Sequence, residues 1–440
     1  MTRRSVPEKT HVTTFGGIFY GWWLVVLTVL VTAVVATPSF GAIGVWIKAL
    51  ETHFGWSRTQ LAVAFSLGHL EGSAAGPIAG FLVDKYGTSR VVFVGLILVS
   101  LSFLLFSRTN SLTIFYISFG ILMLVTVAGT WLPLMTALNN WFSARRSTAM
   151  GIASGGFSLG GFLLTPVIAW MVGPGNLGWS RSALIFGIFF IVIAFPVKKG
   201  IRNRPQDYGL LPDGAAIPDF PTSEEELSEK NQDDHALGFV QEVQVSYTVK
   251  EAMKTRAFWL IAIGHAFCTM LLGTLSVHLI PMLVDEGYTL QKASYVWSGI
   301  MLISGVTQLT FGFIGDKVAK HKAIGYLGIL QAIGFVMFVI STDLAVLVLA
   351  CFIFGIGFGG RVPMANSIRG DYFGYKSYGT ISGIMMVPMS LMMLFAPLFA
   401  ARFFDLQGDY FIPFALLAAF GLIGALMHLP ARNPSEPLLM

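Results

Sequence analysis

The chain carries little charge. Asp, Glu, Lys and Arg make up 12% of its 440 residues, where a soluble domain carries about 25%. A water-soluble core of this size would split into domains, and too few charges are available to coat them. Cysteine is scarce as well: Cys268 and Cys351 both lie in apolar runs. Two such residues make neither a disulfide framework nor a zinc ligand set, and they read as small buried hydrophobes. No tract is Gly/Pro-periodic or of low complexity, which removes the collagen-like and disordered classes. The sequence also lacks a nucleophile elbow, a phosphate loop and a pair of metal ligands at catalytic spacing. Its residues therefore argue against an enzyme, and no catalytic residue, cofactor or metal is expected.

What the chain has in quantity is apolar length. Hydrophobic residues make up 55% of it, and its mean hydropathy is +0.71. A helix needs about 20 mostly apolar residues to cross a bilayer. Twelve runs qualify: 18–45, 59–83, 90–107, 112–139, 147–172, 181–197, 257–281, 293–315, 323–341, 344–367, 379–401 and 410–429. Arg3 and Arg4 before the first run imitate a signal peptide, but eleven further runs follow, so the first is read as an uncleaved helix. The 48 glycines fit helices that approach closely in lipid.

Charge placement gives sidedness. With twelve spans, alternate loops and both termini share one face. That face holds 21 of the 28 Lys and Arg residues, the opposite face six, and Arg361 lies within a span. Basic short loops stay in the cytoplasm, so both termini are expected there, in a plasma membrane of bacterial type. The net charge of +5 is then a topology signal rather than a nucleic-acid footprint. Residues 198–256 form the one long polar stretch and include Ser223-Glu224-Glu225-Glu226. They are read as a partly disordered cytoplasmic linker between an N-terminal half, 1–197, and a C-terminal half, 257–440.

The halves repeat. Gly80-Phe81-Leu82-Val83-Asp84-Lys85 recurs 232 positions later as Gly312-Phe313-Ile314-Gly315-Asp316-Lys317, and Gly151 matches Gly383 at the same offset. Asn140-Trp141-Phe142 recurs as Asp371-Tyr372-Phe373 at 231. Both copies fall on the same face, so the repeat is parallel, about an axis along the membrane normal.

The loop from Gly80 to Arg90, G-F-L-V-D-K-Y-G-T-S-R, resembles the signature loop of the major facilitator superfamily, and its degenerate second copy is usual there. The resemblance implies an all-α integral membrane fold of two six-helix halves. More narrowly the chain resembles the monocarboxylate transporter and oxalate/formate antiporter branch. The carrying residues are Tyr20-Gly21-Trp22-Trp23, the run from Trp46-Ile47-Lys48 to Trp56-Ser57-Arg58, Trp141-Phe142-Ser143-Ala144-Arg145-Arg146, and Arg204-Pro205-Gln206-Asp207-Tyr208-Gly209-Leu210-Leu211-Pro212-Asp213-Gly214. That branch implies transport of small organic anions by proton symport or exchange, in a monomer embedded in lipid. One departure separates the chain from it: relatives carry charged residues in helix eight, and Ser294 to Gly315 has none.

Charges inside a span are expensive and mark function by default. Arg361, flanked by Gly359-Gly360 and Pro363, lies on a helix that lines the central cavity in the superfamily. Its planar fork suits a carboxylate, which makes it the expected anchor; the other reading is an ion pair with Glu71. Glu71, in the middle of span two, is a candidate proton-coupling carboxyl, although the Gly72, Gly76 and Gly80 steps beside it also fit plain close packing. Lys48 either receives an arriving carboxylate, as the branch implies, or snorkels to the interface. His278 and His265 on helix seven titrate near neutrality. The first is a candidate substrate contact and the second a proton carrier, against a reading of both as satisfied interior histidines. Asp84, Arg90, Arg145, Arg146 and Asp316 in the signature loops are expected to lock the inner gate, as the superfamily implies. The leading expectation is a proton-coupled organic-anion transporter working by alternating access. An anion exchanger and a proton-driven efflux pump for apolar compounds are its rivals.

Overall fold

The computed structural model describes residues 14–15, 18–142, 145–208, 210, 212–214, 247–374 and 378–434. Among them, twelve long helices follow one another: α1 Tyr20–Phe54 and α2 Arg58–Tyr86, then α3 Thr88–Phe106, α4 Leu112–Trp141, α5 Arg146–Val172 and α6 Gly178–Gly200. The second half has α7 Arg256–Asp285, α8 Leu290–Ile314, α9 Lys320–Ile340, α10 Leu344–Phe373, α11 Tyr378–Gln407 and α12 Phe411–His428. Eleven of them are long and apolar enough to cross a membrane among the residues searched. α2, the other, is 29 residues long. The only strands among the described residues are Thr14–Phe15 and Ile18–Phe19, paired antiparallel just before α1.

Hydrogen-bonding side chains at the helix starts set where the helices begin. Ser57 and Gln60 exchange bonds with each other's backbone N–H in a capping box that opens α2 at Arg58. Such caps stabilise a helix by about 1 kcal/mol each. Thr255, Thr289 and Asp343 open α7, α8 and α10 in the same way. Several helices run past the apolar stretches that mark them in the sequence. α1 continues through Lys48 and Glu51 to Phe54, α7 reaches Asp285, and α10 includes Arg369 and Asp371. Pro38 falls in a π-turn at Thr37–Gly41, and a second π-turn at Thr126–Trp131 precedes Pro133 in α4. The Ser39 and Thr126 hydroxyls, one from each turn, bond to each other at 3.1 Å.

Polar contacts sort the loops into two faces. Tyr20 bonds to Gly200, Ser89 to Lys198, Trp141 to Arg202, and Tyr372 to Ala431. This terminal face gathers the start of α1 and the end of α12. On the far face Tyr116 bonds to Gln60, Ser180 to Ser107, and Tyr288 to Thr342. The described part of the central polar segment packs on the terminal face: Asn203 accepts from the Ser89 N–H at 2.9 Å, and Arg202 stacks between Tyr20 and Tyr208.

The sequence repeat is visible in the packing. α2 and α8 correspond, as do α5 and α11, and the halves meet through α2 against α11 and α5 against α8. Ser298 on α8 donates to the Gly161 carbonyl on α5 near mid-depth, and Gln291 donates to Pro166 nearer the far face. The outer stretch of α1, Ile43–Phe54, adds a contact to α7, with Gly44 against the Ser276 carbonyl. Toward the terminal face the same four paired helices carry Gly80, Gly151, Gly312 and Gly383, two repeat-related pairs. A Cβ added at any of them meets nothing within 4 Å. Among the described residues, every hydrogen bond and ion pair between the halves lies at the far face or mid-depth.

Candidate functional site

Two clusters of charged and polar side chains stand out, one at the far face and one inside the C-terminal half. At the far face Arg58, 2% exposed, is the hub. The cap on α2 fixes it as that helix's first residue. Its guanidinium binds Glu51 through Nε at 3.0 Å, pairs with Asp285 of the other half, and donates from Nη1 to the Tyr410 hydroxyl at 2.6 Å. The same group lies 3.9 Å over the Phe404 ring. Lys48 joins from α1, bonding Glu51 at 3.1 Å and Asp285 at 2.7 Å. Asp405 on α11 accepts the backbone N–H groups of Arg58 and Thr59 at 3.1 and 2.9 Å. A carboxylate from one half thus caps a helix N-terminus of the other, where orphan N–H groups and the helix dipole favour negative charge.

His278 completes this cluster. It is 1% exposed, with Nε2 at 2.9 Å from the Pro397 carbonyl and Nδ1 at 2.9 Å from Tyr410 Oη. A carbonyl only accepts, so Nε2 carries a proton, and in the neutral ring Nδ1 is then the acceptor. The donors then run in one direction: Arg58 to Tyr410, Tyr410 to His278, His278 to Pro397.

The second cluster surrounds Arg361, which is wholly buried on α10. Its Nε donates to Gln331 Oε1 on α9 at 3.1 Å, Nη1 to His265 Nδ1 on α7 at 2.9 Å, and Nη2 to Thr269 Oγ1 at 3.2 Å. Gln331 is held in turn by its bond to the Cys268 carbonyl at 2.9 Å. α10 stays continuous through Pro363. The glycines here serve close packing: a Cβ at Gly357 would meet the Gln331 backbone at 2.5 Å, and one at Gly359 would meet the Ser304 carbonyl at 2.4 Å. No carboxylate pairs with Arg361 among the described residues. Next to it on α12, His428 donates from Nδ1 to the Gly424 carbonyl, and its buried Nε2 has no partner among the described residues.

The structure therefore brings Arg361 and His265 together and draws Lys48 and His278 into the far-face cluster. The side chains of Glu71, Asp84, Arg146 and Asp316 lie outside the described residues. Arg90 and Arg145 are exposed on the terminal face, and the Arg145 backbone N–H donates to Asp213 at 3.3 Å. Sequence reasoning missed Glu51, Asp285, Asp405 and Tyr410 as partners, and Gln331 and His428 around Arg361. One signal was available for the first group: acidic residues at helix ends on the face with few cations.

Comparison with known proteins agrees with this architecture. A family model described as the Major Facilitator Superfamily matches residues 28–397, and again 261–439. Monocarboxylate transporter 13 of Rattus norvegicus is 26% identical, with 92% of this chain and 88% of that protein covered. Monocarboxylate transporter 12 of Xenopus laevis is 24% identical over 92% and 87%. Among solved structures, a D-xylose-proton symporter superposes with a TM-score of 0.71 at 11% identity, covering 94% of this chain and 99% of that one. A bacterial homolog of the lysosomal transporter Spinster, in an inward-facing unoccupied conformation, gives 0.67 at 15%, covering 95% and 99%. At these identities the two structures speak to the fold alone.

Proposed function

The chain belongs to the Major Facilitator Superfamily, and on that premise we propose that it moves a small organic anion, of monocarboxylate type, together with protons by alternating access. One observation carries this reading. Arg361 is a wholly buried cation whose three side-chain partners among the described residues are all neutral. A buried charge needs a counter-charge or it is costly, and a guanidinium has five donors, two of them beyond those its partners take. A substrate carboxylate fits as the missing partner. An efflux pump for apolar cations has no use for such a group. The similarity to monocarboxylate transporters supports the same substrate class.

The terminal face is assigned to the cytoplasm by its excess of Lys and Arg, in the cell membrane of a bacterial cell, and the unit is a monomer. Residues 1–197 and 257–440 act as the two rocking halves and 198–256 as their linker. The far-face cluster then holds the outer side shut, with Lys48 and His278 acting in that lock. Asp84, Arg90, Arg145, Arg146 and Asp316 are assigned to the inner gate. The open surroundings of Gly80, Gly151, Gly312 and Gly383 fit a conformation open to the terminal face.

Uptake of labelled L-lactate, pyruvate, formate and oxalate into proteoliposomes, with and without an inward proton gradient, tests the proposal. Gradient-driven uptake that Arg361→Gln removes is expected. Uptake that needs internal anion and ignores the gradient would replace symport with exchange. Uptake left intact by Arg361→Gln would overturn the anchor.

A further inference from the structure

The bond between Arg361 and His265 has a chemical consequence that neither residue has alone. A guanidinium cannot accept a hydrogen bond, so His265 Nδ1 must be the acceptor and the ring is neutral with its proton on Nε2. The imidazole has one lone pair. Arg361 Nη1 and an incoming proton compete for it, and only one can hold it.

We propose that His265 is a proton-operated latch on Arg361: a proton on Nδ1 expels the guanidinium donor, which becomes free to bind the substrate carboxylate. This rests on the reading of Arg361 as the anion anchor and names the group that frees it. Expulsion leaves two adjacent cations in a cluster with no carboxylate among the described residues, so the protonated state itself calls for an anion. Without the proton, one Nη1 donor stays tied to His265 and only two of the five guanidinium donors are left for substrate, so the anion binds more weakly. His265 keeps 7% of its surface open, and Thr269, one turn further along the same face of α7, is half-buried. The cluster is therefore not fully sealed on that side.

Among the described residues, the charged and titratable groups that face His265 are few. α10 contributes Arg361 and Arg369, and α12 contributes His428. Cys268 lies one turn away on α7, and α9 presents the neutral Gln331. Of these, His428 is the rival proton carrier, because its Nε2 lone pair has no partner among the described residues.

The test is binding of L-lactate and pyruvate to purified full-length protein in lipid nanodiscs, followed by calorimetry over about pH 5 to 8, the range that brackets a free imidazole. Wild type is expected to lose affinity by about tenfold per pH unit on the alkaline side, the slope of one linked proton. His265→Ala removes the latch, so its affinity should stay high and flat with pH. His265→Gln keeps an acceptor for Nη1 that cannot titrate, so its affinity should be low and flat. These opposite levels with the same lost slope are something a merely structural histidine would not produce, and a thermal unfolding midpoint checks that both variants fold. A wild-type slope retained in His265→Ala overturns the latch, as does a slope lost only in His428→Ala. Arg361→Gln separates the two claims: unchanged binding there removes the anchor itself, whereas lost binding with an unaltered slope in His265→Ala removes only the latch.

Discussion

Arg58 and Arg361 are both buried arginines, and their surroundings are opposites. Arg58 touches Glu51 and Asp285, stacks on Phe404, and leads a helix whose N-terminus Asp405 caps. Arg361 touches an amide, an imidazole and a hydroxyl. A guanidinium matched by carboxylates from both halves holds those halves together. Among the described residues Arg361 is matched only by neutral groups of its own half, so it contributes nothing to that docking and no carboxylate there answers its charge. In the proposed function the same residue type serves a lock in one place and a receptor in the other, and carboxylate supply decides which. In the proposed cycle the lock opens each time, and a ligand shifts an equilibrium only by its differential affinity. Its net strength is therefore limited to a few kcal/mol, however many bonds it contains.

The largest effect that could break this comparison lies at Arg361. Removing one partner of a buried, hydrogen-bonded charge pair costs about 2–5 kcal/mol, so Arg361→Gln should lower the affinity for substrate anion by roughly 30-fold or more. Arg361→Lys keeps the charge and loses the planar fork, so it should fall between the two. Equal losses for Gln and Lys would mean that fork geometry, rather than charge, makes the site. Binding isotherms for the three proteins decide this.

Next in size is the lock. Arg58→Gln leaves Glu51 and Asp285 without their shared cation, and one lost buried partner costs about 3–5 kcal/mol in a fully dry site. The carboxylates here are 22% and 32% exposed, so about 2 kcal/mol is expected. Far-face opening should then rise by roughly 30-fold. The readout is thiol labelling of Ser276→Cys, whose backbone lies against Gly44 at the closed far-face seam, from outside intact vesicles. Unchanged labelling would show that the apolar contacts between α1 and α7 hold the far face without Arg58.

A smaller effect is expected at Gln331, which reaches Arg361 from α9 and is fixed by the Cys268 carbonyl. Gln331→Met conserves most of the volume and removes one acceptor. A hydrogen bond to a charged group contributes about 1.5–3 kcal/mol, part of which the freed donor recovers from substrate. The KM should change by less than tenfold, with kcat near that of wild type. A kcat collapse would instead make Gln331 part of the moving machinery.

Much of the fold was legible because lipid leaves so few choices: backbone groups must be satisfied within each span, so apolar runs become helices. The helix ends were less legible. A hydropathy reading stops at Lys48, Asp285 or Arg369, but a charge near the interface does not end a helix. Arg361 could be found because a charge in an apolar run stands out by itself. Its neighbours could not, since Gln331 and His428 are ordinary polar residues until the fold sets them beside it. The lock was the least legible part. Its contacts join residues 227 and 352 positions apart, and at a helix end each of those charges passes for a solvated one.

The smallest effect belongs to Lys48, and it tests whether the lock is one unit or a set of separate pairs. Lys48 lies 2.7 Å from Asp285 and 3.1 Å from Glu51, with its side chain 18% exposed. Arg58 already engages the same two carboxylates. For a partly exposed pair about 0.2–1 kcal/mol is expected, so Lys48→Gln should raise far-face labelling of Ser276→Cys by no more than about fivefold. If the carboxylates bind both cations as one network, removing Arg58 first leaves them depending on Lys48 alone. Lys48→Gln should then have a larger effect in the Arg58→Gln background than in wild type, with a coupling of at least about 0.5 kcal/mol. Strict additivity would mean that Lys48 and Arg58 act on Asp285 independently, and that Lys48 is a surface cation whose bonds in this conformation contribute nothing to closure.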